Sequence, residues 1–155
     1  MNEIIPVKDY KLVEFTKDDK DIIKRIKEYS IRNCRKEIST KYITSTLNNF
    51  DYGISYFRTE ILKKTNSIKN RPCAFACVKY QENDKLCLLL ICSIQNDDKL
   101  GTQILNEVFS FAKNKGFAKI TLECDEKNVK FYSKFNFNED GNTSDDMVSM
   151  TKNLN

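Results

Sequence analysis

The chain of 155 residues contains no histidine, which excludes every mechanism built on an imidazole base, the Ser/His and Cys/His arrangements included. Proton transfer must fall to Tyr, Asp, Glu, Lys, Cys or water. One stretch, "NVKFYSKFNF" at 128–137, sets Phe131 and Tyr132 side by side where a short helix is expected to hand over to a strand. A phenol with pKa about 10 stays protonated at neutral pH and can donate a hydrogen bond or a proton. The six cysteines include no C-x-x-C pair, so with histidine absent no metal site is expected, and the thiols are expected to be free. Cys73, Cys77, Cys87, Cys92 and Cys124 fall on predicted strands, where cysteine packs as a small apolar residue. Cys92 has no neighbouring base to make it an acyl-carrying nucleophile and reads as a packed thiol.

These residues need a scaffold, and the composition supplies one. Hydrophobic residues make up 40% of the chain, aromatics 11% and charged residues 31%, enough apolar surface for one core in a chain of this length. A single domain over 1–155 is predicted, with 85–154 its most clearly patterned half. The net charge of +4 is interleaved rather than blocked: "KDDKDIIKRIKEYSIRNCRK" reads as a solvated helix face. Neither a basic-then-apolar leader nor a membrane-length apolar run is present, since "LCLLLIC" is only strand length. A cytoplasmic, membrane-free protein is expected.

Periodicity orders the elements. "YKLVEFT" at 10–16 alternates as a strand, and Thr16 followed by Asp19 resembles a capping box. Ile22, Ile23, Ile26 and Tyr29 predict an amphipathic helix over 17–33, and Ile43, Leu47 and Phe50 predict another over 39–50. Strands follow at 54–62, 73–80 and 86–94, with "KKTNSIKNRP" as a hairpin connection and "LCLLLICSI" as a central strand apolar on both faces. Leu100, Ile104, Val108, Phe111 and Ala112 stripe a helix that Gly116 ends. "FAKITLEC" alternates as a strand, a short helix spans about 127–134, and "FNFNE", the turn "DGN" and "DMVSMTKNL" close the chain. The order is β-α-α-β-β-β-α-β-α-β-β.

That order, with the local sequences of its second half, resembles the GNAT superfamily of acetyl-CoA-dependent N-acetyltransferases. "LGTQIL" after the apolar strand is similar to the family's cofactor segment. "NVKFYSKFNF" is similar to its Asn-x-x-Ala-x-x-Phe-Tyr-x-x-x-Gly-Phe run, with Asn136 in place of the glycine, and "MVSMTKNL" is similar to its closing strand. The pyrophosphate loop departs from the pattern: Asn96, Asp97, Asp98, Lys99, Leu100 and Gly101 retain only the last glycine.

The resemblance implies a mixed α/β fold with a twisted, mostly antiparallel sheet, splayed at the cofactor site and flanked by about four helices. It implies acetyl-CoA as cosubstrate, without a metal, held by Ile91, Cys92, Ile94, Asn96, Lys99, Leu100, Gly101, Thr102, Asn128 and Phe131. It places Tyr132 near the cofactor sulfur, as a donor to the leaving thiolate. The acceptor is an amine that attacks directly in a ternary complex. An ammonium must first lose a proton, and Glu123 is the assigned base, with Glu60 behind it. Glu139, Asp140, Asp145 and Asp146 around the last hairpin favour a cationic acceptor. Acceptor identity stays open, as does monomer against homodimer. Two other readings also stay open: a GNAT-like binding domain without catalysis, and a small basic nucleic-acid-binding domain.

Overall fold

A computed structural model of the chain describes residues 4–34, 38–62, 67–93, 98–142 and 147–154. The elements are β1 (Ile4–Phe15), α1 (Lys20–Asn33), α2 (Thr40–Asn48), β2 (Tyr52–Leu62), β3 (Ser67–Gln81), β4 (Lys85–Ser93), α3 (Asp98–Asn114), β5 (Lys119–Asp125), α4 (Val129–Ser133), β6 (Asn138–Asn142) and β7 (Met147–Asn153), with a 3₁₀ turn at Glu126–Asn128. This is the order the periodicity predicts. The strands form one seven-stranded sheet, β1-β2-β3-β4-β5-β7-β6. Every neighbouring pair is antiparallel except β4 and β5. A parallel pair needs a crossover, and α3 supplies it.

Each sheet face has its own core. Ile26 of α1 and Ile43 and Leu47 of α2 pack with Phe15, Phe50 and Phe75 on one face. Leu100, Ile104, Leu105 and Val108 of α3 cover Ala76, Val78 and Leu86 on the other. The helix ends follow their local chemistry. Ser39 accepts a hydrogen bond from the Tyr42 amide at 3.1 Å and starts α2. Gly116, at φ 81, ends α3 in a Schellman turn, with Phe117 N–H on the Ala112 carbonyl and Gly116 N–H on that of Lys113. Thr16 and Asp19 do bond each other, Thr16 N–H to Asp19 Oδ2 at 2.8 Å, but the box forms a turn ahead of α1 rather than its first turn.

Four expectations need correction. Residues 67–72, read as connection, belong to β3, because pairing with β2 runs on to Leu62↔Ser67; the rest of that connection, 63–66, lies outside the described residues. "DGN" is not a turn but part of β6, carried through by a bulge at Asp140 that Gly141, at φ 153, accommodates. Phe135–Phe137 is not strand: Asn136 takes φ 69 there, the left-handed conformation asparagine tolerates in place of glycine. Cys34 and Cys92 are joined in a disulfide across 58 residues of sequence, with Cα atoms 6.2 Å apart, while Cys73, Cys77, Cys87 and Cys124 are free.

Gly53 is the tightest point of the sheet. It pairs with Phe15 of β1, and a Cβ there would land on the Phe15 ring. That ring is 1% exposed and packs edge-on against Phe50 at 5.3 Å, so it has no room to yield. Gly53→Ala is expected to cost about 1–3 kcal/mol by overpacking. Urea unfolding should show a lowered midpoint with an unchanged slope.

Candidate functional site

The site originates where the sheet fails to close. β4 and β5 start together, with Ala118 N–H on the Asp84 carbonyl at 2.8 Å, and pair only through Lys85↔Lys119, Leu86↔Ile120 and Cys87↔Thr121. Beyond Cys87 they part. At the same level β4 carries a bulge: Val78 pairs with Leu88 and Cys77 with Leu90, leaving Leu89 without a register partner in β3. The extra residue turns the strand over, so Leu86 and Leu88 join the core under α3, whereas Leu90 and Cys92 join the core under α1 and α2. The apolar character expected on both faces of this strand is thus achieved by one bulge. Tyr42 of α2 reaches down and donates its hydroxyl hydrogen to the Leu89 carbonyl at 2.6 Å.

The parted strands enclose a cleft of about 580 Å³. Its walls gather seven of the residues singled out in the sequence: Ile91 and Cys92 from β4, Gly101 from α3, Glu123 from β5, then Asn128, Phe131 and Tyr132. Tyr132 is held on the α4 side. Its carbonyl accepts from Phe135 N–H at 2.9 Å, and its ring meets Phe131 at 5.1 Å and Phe137 at 5.7 Å. Phe137 is fully buried, whereas Phe131 is half-buried and faces the cleft. Asn128 directly precedes α4 and makes no side-chain cap there. Leu100 lies in the core, Lys99 is exposed and Thr102 half-buried, and none of the three borders the cleft. Ile94, Asn96 and Asp97 lie outside the described residues. Glu60 pairs with Lys69 in the outer reach of the β2–β3 ladder, beyond the last β3–β4 pair, Ala74↔Ser93. Its backbone thus lies away from the cleft, whose lining carries the carboxylates of Glu123 and Asp125.

A second space of about 690 Å³ opens on the sheet face that α1 and α2 leave uncovered. Tyr42, Leu88, Leu89, Leu122 and Glu123 border both spaces, so cleft and groove are continuous. The groove floor is the polar half of each strand's alternation: Lys119, Thr121 and Glu123 of β5 opposite Asn153, Thr151 and Ser149 of β7. Asp140 stands on the rim. Hydrogen bonds from Ser149 and Thr151 hold its carboxyl below the usual carboxylate range. Of the four acids expected around the acceptor, Asp140 alone is seen there. Glu139 pairs with Met150, whose side chain lies in the core under α3, and Asp145 and Asp146 lie outside the described residues.

Sequence reasoning missed Tyr42 and the two lysines of the groove, Lys85 and Lys119. Burial raises the Tyr42 hydroxyl above the ordinary phenol value, which keeps it a donor at neutral pH. Lys119 was legible as the polar phase of "KITLEC", but what lies over that phase is a tertiary matter. Among the described residues there is no cluster of three potential metal ligands, and no helix is long and apolar enough to cross a membrane.

The cysteines give a direct check. Alkylation of the denatured, unreduced chain is expected to label the four cysteines that are free, and all six after reduction, read by mass. Burial pushes the Cys87 thiol up. In the native protein its labelling rate should therefore keep rising with pH after an exposed thiol has levelled off.

No family model and no curated protein matches the sequence. Solved structures do match. The PaiA N-acetyltransferase of Thermoplasma acidophilum, in complex with coenzyme A, superposes with TM-score 0.67 at 17% identity, covering 94% of this chain and 99% of that one. The ribosomal-protein-S18-alanine N-acetyltransferase of Escherichia coli gives 0.63 at 17% identity, over 99% and 94%. The aminoglycoside 6'-N-acetyltransferase of Enterococcus faecium gives 0.65 at 12% identity, over 94% and 97%. At such identities the likeness is one of architecture, and on it the chain has the fold of the GNAT N-acetyltransferases.

Proposed function

We propose that the chain is an N-acetyltransferase that moves the acetyl group of acetyl-CoA to an amine by direct attack in a ternary complex. The observation that carries this reading is the parting of β4 from β5, with Tyr132 and Glu123 both bordering the cleft it opens. Backbone groups on the facing edges of Leu88–Ser93 and Leu122–Asp125 have no ladder partner across the gap. An extended ligand with amides of its own, as pantetheine is, satisfies them as an added strand. Gly101 lines the same cleft, and a Cβ there would sit 3.3 Å from the Ser93 hydroxyl.

In the reaction the amine nitrogen bonds to the thioester carbon and the carbon–sulfur bond breaks. The departing thiolate takes a proton from the Tyr132 hydroxyl. The amine's surplus proton passes to Glu123, directly or through water. Tyr42, by engaging the Leu89 carbonyl, holds the bulge at the junction of cleft and groove. The coenzyme A bound by the structurally similar PaiA enzyme supports the choice of donor.

Thiol release from acetyl-CoA across a panel of amines tests the reading, and acetyl-CoA binding without turnover on any amine would favour a binding domain instead. Tyr132→Phe keeps the ring and removes the hydroxyl. It is expected to lower turnover roughly ten- to a thousandfold with little change in acetyl-CoA affinity. Gly101→Val is expected to abolish acetyl-CoA binding, read by calorimetry, in a protein whose circular dichroism is unchanged. Glu123→Gln should lose turnover at neutral pH and recover part of it at high pH, where the free amine no longer needs a base.

A further inference from the structure

We propose that the groove selects amines that carry an anionic group about 13 Å from the nitrogen, through Lys85 and Lys119. The inference rests on the acetyl-transfer reading for which end of the acceptor reacts.

Glu123 and a pair of lysines stand at opposite ends of the groove. Glu123 borders both cleft and groove, while Asp140 on the β6 rim is bonded to Thr151 midway along and feels the charge of Lys85. Four residues back from Glu123 along β5 stands Lys119, directly paired with Lys85 of β4. At roughly 3.3 Å per residue the strand carries the two ends about 13 Å apart, measured along its backbone. Register partners share a sheet face, so the two ammoniums stand together over the same floor, and both line the groove. Like charges directly opposite repel, which an anion between them relieves. Between the two ends the strand floor is formed by the uncharged Thr121, Thr151 and Asn138, with the Asp140 carboxylate on the rim beside Thr151.

This arrangement discriminates. An ammonium approaching the cleft is drawn to Glu123. A second ammonium at the far end, as in a diamine or a lysine-rich peptide, would face Lys85 and Lys119. A carboxylate or phosphate there is attracted instead, and a polar chain between the two groups finds hydroxyls and amides. The expectation of a cationic acceptor, drawn from four acids at the last hairpin, is therefore revised to an acceptor of both signs. Two sources share this chemistry: a small ω-amino acid, and the N-terminus of an extended peptide with an acidic residue.

The experiment compares ω-amino acids of increasing chain length with the matching diamines, and short peptides of common sequence ending in Glu or in Lys. Binding is read by the amide chemical shifts of Lys85, Lys119 and Glu123, which needs no turnover, and transfer is read by thiol release. The wild type is expected to prefer the anion-bearing member of each pair by at least about tenfold, with an optimum length among the ω-amino acids and a preference that fades with salt. Preference for the small-molecule series over the peptides, or the reverse, identifies the source. Lys85→Glu with Lys119→Glu should invert the preference while acetyl-CoA affinity stays as in the wild type. Both side chains reach solvent, and a thermal melt verifies the fold. Equal binding of the two series, or an unchanged preference in the double variant, overturns the inference. Selective binding with no thiol release on any substrate upholds the groove and sinks the acetyl-transfer reading.

Discussion

Two parallel strands that begin in register and then diverge are the constraint on which this molecule is arranged. The start is pinned three ways: by Ala118 N–H on Asp84, by the Lys85↔Lys119 pair, and by Leu154 N–H on the Ala118 carbonyl. Because the strands are parallel, α3 must cross over between them, and its Schellman ending at Gly116 returns the chain to β5 at the right level. The divergence exposes main-chain edges in the middle of a seven-stranded sheet rather than at its margin. Unpaired edges at that position are costly unless something pairs with them, which is the part the proposed cofactor would play.

The bulge at Leu89 makes the gap usable. Without it β4 would offer a single alternation, and its last residues could not pack under α1 and α2 while its first pack under α3. With it, the strand serves both cores and its carbonyl at Leu89 is presented to α2, where Tyr42 takes it. One hydrogen bond therefore ties the helical cover of one half of the sheet to the rim of the cleft. The α4 side is tied differently, by aromatic packing: Phe109 meets both Phe135 and Phe137 at about 6 Å, and Lys152 lies over the Phe109 ring at 4.7 Å while donating to the Phe135 carbonyl at 2.6 Å. The two walls are thus held differently, one by a single directed bond and the other by an aromatic cluster with a lysine bonded to its backbone.

Much of this was legible in the residues. Element order followed from periodicity because each element is long enough, or strictly enough alternating, to show its period. The motif around Asn128, Phe131 and Tyr132 was legible because its members are contiguous. Where reading failed, the deciding information was not local. Polar residues 67–72 form strand because β2 continues beside them. "DGN" stays in β6 because β7 holds it there and glycine absorbs the bulge. Tyr42 and Leu89 are 47 residues apart, and no spacing in the sequence announces their bond. Lys85 and Lys119 are neighbours only because a parallel pair places the starts of two strands side by side.

The Cys34–Cys92 bridge turns the intervening chain into a covalent ring. α2, β2 and β3 lie wholly inside it, β4 lies within it as far as Cys92, and so the Tyr42–Leu89 bond is formed between two points of a closed loop. Closing a loop of 58 residues removes denatured-state freedom equivalent to about 4 kcal/mol in the chain-entropy account. For a domain whose net stability is of order 5–15 kcal/mol, that is a large share. The redox poise of the surroundings thereby becomes a variable of state for this fold: a thiol-reducing compartment opens the ring, and the same sequence is there a measurably softer protein.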